Sequence, residues 1–323
     1  MTKFQDRYRT FCAEQTDLSV FAQPWWLDAV CGENGWEVQL WNTNDQIQAA
    51  LPYRKVKKWG LTRFEMPPLS PFIPLMIVNR HPSDMHQQLS IQKKGIEALL
   101  RGLPSCHAHV LRLSPETDYV LPFYWHGYAL QTRYTFRIYP TENHVPSAQA
   151  RKNIRKAEEL GLRIEDLEST EALLRIIEAP FERKKMQSPY SRETIARVVE
   201  AIRERGAGFL LQAKDKEGRV VSAAACVCDS QACYLILGSS TEEGRRQNSE
   251  YLLYDACIKK ALSMGLIFDF EGSMLEGIEA RNRTFNAVPV RYTQVQRFGL
   301  GYSILLGLKT GKAKSFLISW LKL

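Results

Sequence analysis

Asp269 and Glu271 stand two apart in Phe-Asp-Phe-Glu-Gly-Ser-Met, residues 268–274, at the end of an otherwise apolar stretch. In an extended strand alternate side chains share a face, so the two acids point one way and Phe268 and Phe270 the other. Carboxylates in such a place need cations, hydrogen-bond donors or a wet cleft. Two arrangements satisfy that need. In one, Asp269 and Glu271 form a salt-bridge cluster with Arg281 and Arg283 that fixes the following helix to its sheet. In the other they belong to a reaction site.

Further polar groups extend the chemistry. Ser-Ser-Thr-Glu-Glu-Gly-Arg-Arg-Gln-Asn-Ser, residues 239–249, runs into a helix N-terminus, which offers free N–H groups and positive potential to an anion. Arg245, Arg246, Asn248 and Ser249 are its candidate donor-phosphate contacts. The loop carries Asn248-Ser249 before the helix where a pyrophosphate loop would use glycine, and Ser249 serves equally well as an ordinary helix cap. In Ser-Ala-Gln-Ala-Arg-Lys-Asn-Ile-Arg-Lys-Ala-Glu-Glu-Leu-Gly, Arg151 and Arg155 lie four apart, as do Lys152 and Lys156. That cationic face suits phosphates or an RNA backbone, although Glu158 and Glu159 also suit a solvated helix. Arg183, Tyr190 and Asn282 join Arg151 and Arg155 as candidate substrate contacts. His107 and His109 have strand spacing and no third ligand nearby, so both are read as structural and no metal site is expected.

Two segments repeat one plan. Residues 36–53 and 209–227 each read strand, polar turn, strand, with paired alanines at Ala49–Ala50 and Ala223–Ala224. Each follows an amphipathic helical stretch, at 24–31 and 193–205, as two diverged copies of one α/β domain would. Ser83 reads as the cap of a helix that ends near Leu103. Strands follow at 108–113 and 128–139, and a basic helix runs from a cap at Ser147 to Gly161. Pro180 marks a kink or break in the next helix. Residues 232–271 read as strand, loop, helix from Ser249 to Met264 and second strand, with Leu253, Cys257, Ala261 and Met264 on the buried helix face. A crossover of that length joins parallel neighbours, and open α/β sheets place ligands at the carboxyl ends of such strands.

The bulk properties agree with an enzyme or an anion-binding protein. The 323 residues, 45% hydrophobic and 24% charged, give ample core for about two domains, and a net charge of +8 favours an anionic partner such as RNA, a phosphorylated substrate or an acidic membrane face. Seven cysteines without a C-x-x-C pair read as free thiols of a reducing cytosol. Neither an apolar signal core at the N-terminus nor a run of transmembrane length is seen, so a cytoplasmic location is expected.

Residues 147–164, 234–274 and Arg-Thr-Phe-Asn-Ala-Val-Pro-Val-Arg-Tyr (283–292) resemble the Fem-type, "methicillin resistance protein"-like peptidyltransferase branch of the GNAT acyltransferases, and Phe21 to Trp41 resembles that family's opening segment. The resemblance implies a bacterial transferase of cell-wall (peptidoglycan) biogenesis that moves an acyl or aminoacyl group onto an amine. Such a transfer requires a neutral nucleophile and a stabilised oxyanion; in it Glu271 accepts a proton or orients the amine, Asp269 supports it, Arg283 faces the oxyanion and Tyr292 supplies an O–H. In Fem proteins the group passes from aminoacyl-tRNA to a cell-wall precursor. Asn282 stands where the family carries a lysine, with Arg283 the nearest cation, and Val30 falls where some members place a substrate-binding lysine. The donor therefore stays open between aminoacyl-tRNA and acyl-CoA, and no covalently bound cofactor is expected. The acceptor is an anionic or lipid-linked cell-envelope precursor or amino sugar; tRNA and weak membrane-surface contact are further partners, and DNA is not. An acyl-CoA-dependent N-acetyltransferase and a non-catalytic relative that binds RNA or an anionic surface are the alternatives.

The expected fold is α/β (α+β): two tandem GNAT-like domains, each a mixed twisted sheet flanked by helices, over 1–142 and 143–300. A helical tail, 301–323, then packs on the N-terminal domain or touches an anionic membrane. The acceptor site is expected in the cleft between the domains, bordered by Arg151, Arg155, Glu271 and Tyr190.

Overall fold

The computed structural model describes residues 3–299 and 302, apart from 16, 59, 74, 79–83, 141–143, 184 and 273. The tail expected over 301–323 lies outside the described residues except for Tyr302. In chain order the elements begin with α1 (Lys3–Ala13), a short 3-10 turn (Val20–Ala22), α2 (Pro24–Cys31), β1 (Glu37–Thr43), β2 (Gln46–Lys58), β3 (Leu61–Glu65) and β4 (Met76–Ile77). Then come α3 (Met85–Gly102), β5 (Ala108–Arg112), α4 (Leu121–Trp125), β6 (Ala129–Ile138), α5 (Ala148–Glu159), β7 (Arg163–Asp166), α6 (Thr170–Arg183) and α7 (Arg192–Arg205). The last are β8 (Gly208–Lys214), β9 (Val220–Cys228), β10 (Ala232–Ser240), α8 (Glu242–Arg246), α9 (Ser249–Ser263), β11 (Ile267–Asp269), α10 (Glu276–Thr284) and β12 (Val288–Phe298).

Two compact units result, each discontinuous in sequence. Among the described residues the first comprises 3–14, 31–132, 292–299 and 302, the second 15–30 and 133–291. The sequence reading divides the chain at 142/143 instead; the unit boundaries fall inside β6 and β12 because each of these strands pairs with a strand distant in sequence.

In the first unit β1, β2 and β3 are successive antiparallel neighbours, β5 lies parallel to β3, and β12 runs antiparallel to β5. In the second unit β8, β9 and β10 are successive antiparallel neighbours, β11 lies parallel to β10, and β6 runs antiparallel to β11. The same order of strand directions thus recurs, in register with the two hairpins that the sequence repeats. The first hairpin turns at Asn44-Asp45, both with positive φ (50° and 60°), the geometry that suits strand twist at a two-residue turn. The second is closed by Asp215, whose Oδ1 accepts from the N–H groups of Glu217 and Arg219.

Each unit has its own core. Ala49, Leu51, Ile96, Leu99, Leu111, Phe123 and Val295 are packed in the first. In the second, Leu253, Cys257, Ile258 and Ala261 of α9 bury against Phe209, Leu211, Ala224 and Cys226 of the sheet and against Ala150, Ile154 and Ala157 of α5. Residues 15–30 join this unit through local contacts. Val20 N donates to Asp229 Oδ2 at 3.1 Å, Phe21 packs edge-on to Tyr234, and the Arg205 guanidinium lies over Trp25.

Several local expectations are corrected. The cap of α3 is Asp84, whose side chain accepts from Gln87 N; Ser83 lies outside the described residues. Pro180 does not break α6, which continues to Arg183, since a proline that close to the end removes only one late bond. Met264 is 53% exposed and not part of the buried face of α9, because the helix ends at Ser263 and Gly265 turns the chain with φ 75°.

The two histidines fill structural places in the first unit. His107 Nδ1 accepts from Thr62 N, and buried His109 pairs through Nδ1 with Tyr128 Oη at 2.9 Å. Burial and then the charge of Arg297 lower the His109 pKa from 6.5 to about 4. A histidine whose folded pKa is depressed contributes stability above its unfolded pKa and loses it as the pH falls through that window. The resistance of wild type to chemical denaturation should therefore fall as the pH drops from 6.5 to about 4. His109→Gln should flatten that part of the profile, and an unchanged profile would remove His109 as the cause.

Candidate functional site

Strands β10 and β11 pair only over Ala232–Tyr234 and Ile267–Asp269, after which β10 continues to Ser240 while the other chain turns away. The parting leaves the β10 edge past Tyr234 without β11 beside it. It opens at the carboxyl ends of two parallel strands, where sheets of this class hold ligands.

Asp269 fixes one side of the opening. Its carboxylate is fully buried; Oδ2 accepts from Arg137 Nε at 2.7 Å, and Oδ1 accepts from Thr135 Oγ1 and from the Glu271 N–H at 2.9 Å. Burial raises its pKa against the pull of Arg137, Thr135 and the Glu271 amide. The strand stops at Asp269, and Glu271 adopts φ +60°. The two acids therefore do not share a strand face: Asp269 is enclosed and holds the backbone of a left-handed Glu271. Left-handed backbone is costly for a residue with a Cβ and concentrates at functional sites.

Helix α9 forms the other side. Its cap is Asn248, also left-handed at φ 58°, and Ser249, expected as the cap, is instead buried as the first helical residue. Glu250 accepts from Ser240 Oγ at 2.7 Å and pairs with Arg281 Nη1 at 3.2 Å. The Arg281 guanidinium lies 4.7 Å from the Tyr254 ring centroid and contacts Asn282 Oδ1 at 3.3 Å. Burial works to lower the Arg281 pKa, yet Tyr254 and Glu250 outweigh it and leave it raised, so the cation persists. Gly238 permits the approach of α9, since a Cβ there would stand 2.7 Å from Tyr254 Oη. Ser222 Oγ, Ser249 Oγ and Asn282 Nδ2 are buried here with no hydrogen-bond partner among the described residues. Such atoms are filled by ordered water or a ligand group.

The remaining candidates are placed as follows. Arg283 is exposed on α10 and paired with Glu279 at 3.1 Å; the inward cation is Arg281. The alternative cluster of Asp269 and Glu271 with Arg281 and Arg283 does not form, because Arg137 holds Asp269 and Glu250 holds Arg281. Tyr292 belongs to the first unit, buried edge-on to Phe72. Arg151, Arg155, Glu271 and Tyr190 all belong to the second unit. Arg151 and Arg155 are exposed on α5, with Arg151 Nη1 donating to Pro146 O. The start of α5 meets the end of α10, with Ser147 N donating to Thr284 O and Asn286 Nδ2 to Val145 O. Arg183 is exposed in the last turn of α6, and Tyr190 is half-buried before α7. In α8, where the sequence suggested a loop, Arg246 pairs with Glu242, and Arg245 Nη1 reaches Ser240 O at 3.3 Å. Among the described residues no three His, Cys, Asp or Glu side chains gather as a metal site, and no helix is long and apolar enough to cross a membrane.

Thr135, Arg137, Glu250, Tyr254 and the inward turn of Arg281 were missed by sequence reasoning. One signal was present: Thr135 and Arg137 stand two apart, on one face of a strand, as a donor pair that buried Asp269 would need.

Residues 147–277 match the acetyltransferase (GNAT) domain family. This segment is a GNAT domain. It begins at the α5 cap and holds Glu250, Asp269 and Glu271, while Arg281, Asn282 and Arg283 follow it. Solved structures extend the likeness over the whole chain. A crystal structure of FemX has a TM-score of 0.62 and 14% identity, over 91% of this chain and 96% of that one. The C-terminal domain of a protein named as a lysylphosphatidylglycerol synthetase, from Agrobacterium fabrum, has a TM-score of 0.59 and 10% identity, over 94% of each chain. L-PGS from Bacillus licheniformis has a TM-score of 0.56 and 11% identity, over 93% and 95%. At such identities the likeness is one of fold, and it agrees with the Fem-type resemblance of the sequence. No curated protein matches the chain in sequence.

Removing one partner of a buried ion pair costs about 3–5 kcal/mol. Arg137→Met should destabilise the GNAT domain on that scale at neutral pH. The deficit should shrink as the pH falls from neutral toward 3.8, because burial makes Asp269 take up its proton above that ordinary aspartate value. Urea titrations of both proteins across pH test this, and a pH-independent difference would contradict it.

Proposed function

We propose that the GNAT domain transfers an acyl or aminoacyl group from an activated donor to an amine of an anionic cell-envelope precursor or amino sugar. The observation that carries this reading is the parted β10–β11 pair, flanked by two left-handed residues that are not glycine, Asn248 and Glu271, within the segment that matches an acetyltransferase family. The fold likeness to FemX and to proteins named for lysylphosphatidylglycerol supports an aminoacyl group and an envelope acceptor.

In this reading the amine nitrogen attacks the donor's acyl carbon. The new N–C bond forms, the donor's C–S or C–O bond breaks, and the leaving thiol or hydroxyl departs with a proton. Glu271 takes the proton that the attacking nitrogen loses, and Asp269 positions it through the backbone bond at 2.9 Å. The free edge of β10 supplies N–H groups to the carbonyl oxygen, where losing one donor costs on the order of a hundredfold in rate. Arg281 takes the inward cationic role for which the sequence suggested Arg283. The amino end of α9, with Arg245 and Arg246 near it, receives the donor's phosphates, and exposed Arg151 and Arg155 receive those of the acceptor. Acyl-CoA as the donor is favoured separately by the acetyltransferase description of the matching family; aminoacyl-tRNA is the second donor class.

Purified protein should be given acyl-CoA or charged tRNA together with amine-bearing envelope precursors and amino sugars, and the products read by mass. Amide formation with one donor class is expected. Transfer with neither, by protein whose fold is verified, would overturn the reading. Glu271→Gln should abolish transfer with the thermal midpoint nearly unchanged. Glu271→Gly, which removes a left-handed strain of roughly 1–2 kcal/mol, should abolish it without loss of stability. Retained transfer in both variants would remove Glu271 as the base, and a collapse of stability in both would make its carboxylate structural.

A further inference from the structure

Four of the seven cysteines, Cys226, Cys228, Cys233 and Cys257, gather in the GNAT domain, where the proposed transfer does not use them. Cys228 closes β9 and Cys233 is the second residue of β10, which follows almost at once, and the two are direct partners in the antiparallel register. Their pair type follows from the hydrogen bonds. Asp229 N donates to Ala232 O, so the neighbouring residues make the hydrogen-bonded pair, while Cys228 N turns the other way to Ala207 O. Cys228 and Cys233 are thus a non-hydrogen-bonded pair, the type with Cα atoms about 4.5 Å apart and the closer side chains. That spacing falls within the range a disulfide spans. The sulfurs lie 2.7 Å apart.

We propose that Cys228 and Cys233 form a reversible disulfide, a modification site whose oxidant is a hydroperoxide such as hydrogen peroxide. Cys228 is half-buried at the hairpin end and Cys233 is buried beneath it, so the outer thiol meets the oxidant and the inner one resolves it. The Cys228 sulfur takes the terminal oxygen of the peroxide and becomes a sulfenic acid, and one water is released. The Cys233 sulfur then attacks that of Cys228; the S–S bond forms, the S–O bond breaks, and the hydroxyl leaves with the Cys233 proton as a second water. Two thiols supply the two electrons that the peroxide accepts. The hairpin is held in place for closure, since Asp229 at its tip accepts from the N–H groups of Gln231, Ala232 and Val20.

The test is differential alkylation of the full chain. After treatment with hydrogen peroxide, free thiols are blocked with one reagent in acid-quenched denaturant, the protein is reduced, and newly released thiols receive a second reagent. Peptide masses should show the second label on Cys228 and Cys233 together, absent when reduction is omitted. Cys228→Ser, at the half-buried position, should leave Cys233 with the first label only. The second label on another pair, such as Cys226 with Cys257, would overturn the assignment. So would first label on both residues after peroxide, or irreversible higher oxides at Cys228 without a link. The wild-type measurement needs no variant to fold, and its outcome is independent of whether the domain transfers acyl groups.

Discussion

The architecture of the candidate site depends on one buried carboxylate. Asp269 gives up all contact with water, which is tolerable only because Arg137, Thr135 and the Glu271 amide together satisfy it. These bonds tie the last residue of β11 to its antiparallel neighbour β6, and they hold the chain in a left-handed turn directly afterwards. The strand cannot continue beside β10 once that turn is made. The opening between β10 and β11 is therefore a consequence of how Asp269 is satisfied.

The opposite wall follows from a second polar arrangement. Gly238 lets Tyr254 approach the sheet, which brings the first turn of α9 close enough for Glu250 to bridge Ser240 and Arg281. An Arg–Glu pair in a half-buried place contributes less to net stability than to geometry, because desolvation offsets part of its attraction. It sets where α10 begins its return to the sheet, and it keeps a cation beside the opening. Ser222, Ser249 and Asn282 carry buried polar atoms without described partners in the same neighbourhood. A region selected only for stability would carry apolar side chains there.

Much of the local structure was legible in the sequence because short-range rules decide it. The hairpins, the α5 cap at Ser147 and the stop at Gly265 follow from turn chemistry and helix termination. The parallel β10–β11 pair follows from the length of the crossover. Asp269 and Glu271 were found as residues out of place in an apolar strand. Their partners were not found: Arg137 lies 132 residues from Asp269 and Glu250 lies 31 from Arg281. Periodicity carries no information about which cation reaches which acid across such separations. Arg281 and Arg283 illustrate the limit, since both belong to one helix and a difference of two positions turned one inward and left the other paired with Glu279 in solvent.

What the sequence determined by itself is the set of elements, their doubling, the acidic strand end and the likeness to Fem-type transferases, because each is encoded in contiguous residues. Tertiary structure alone decided that residues 15–30 and 292–299 join a different compact unit from their sequence neighbours. It also decided that Asp269 is enclosed while Glu271 is held left-handed beside an opening, and that Cys228 faces Cys233. These outcomes depend on which strands pair, and strand pairing is settled by the burial of whole faces, which no single segment contains.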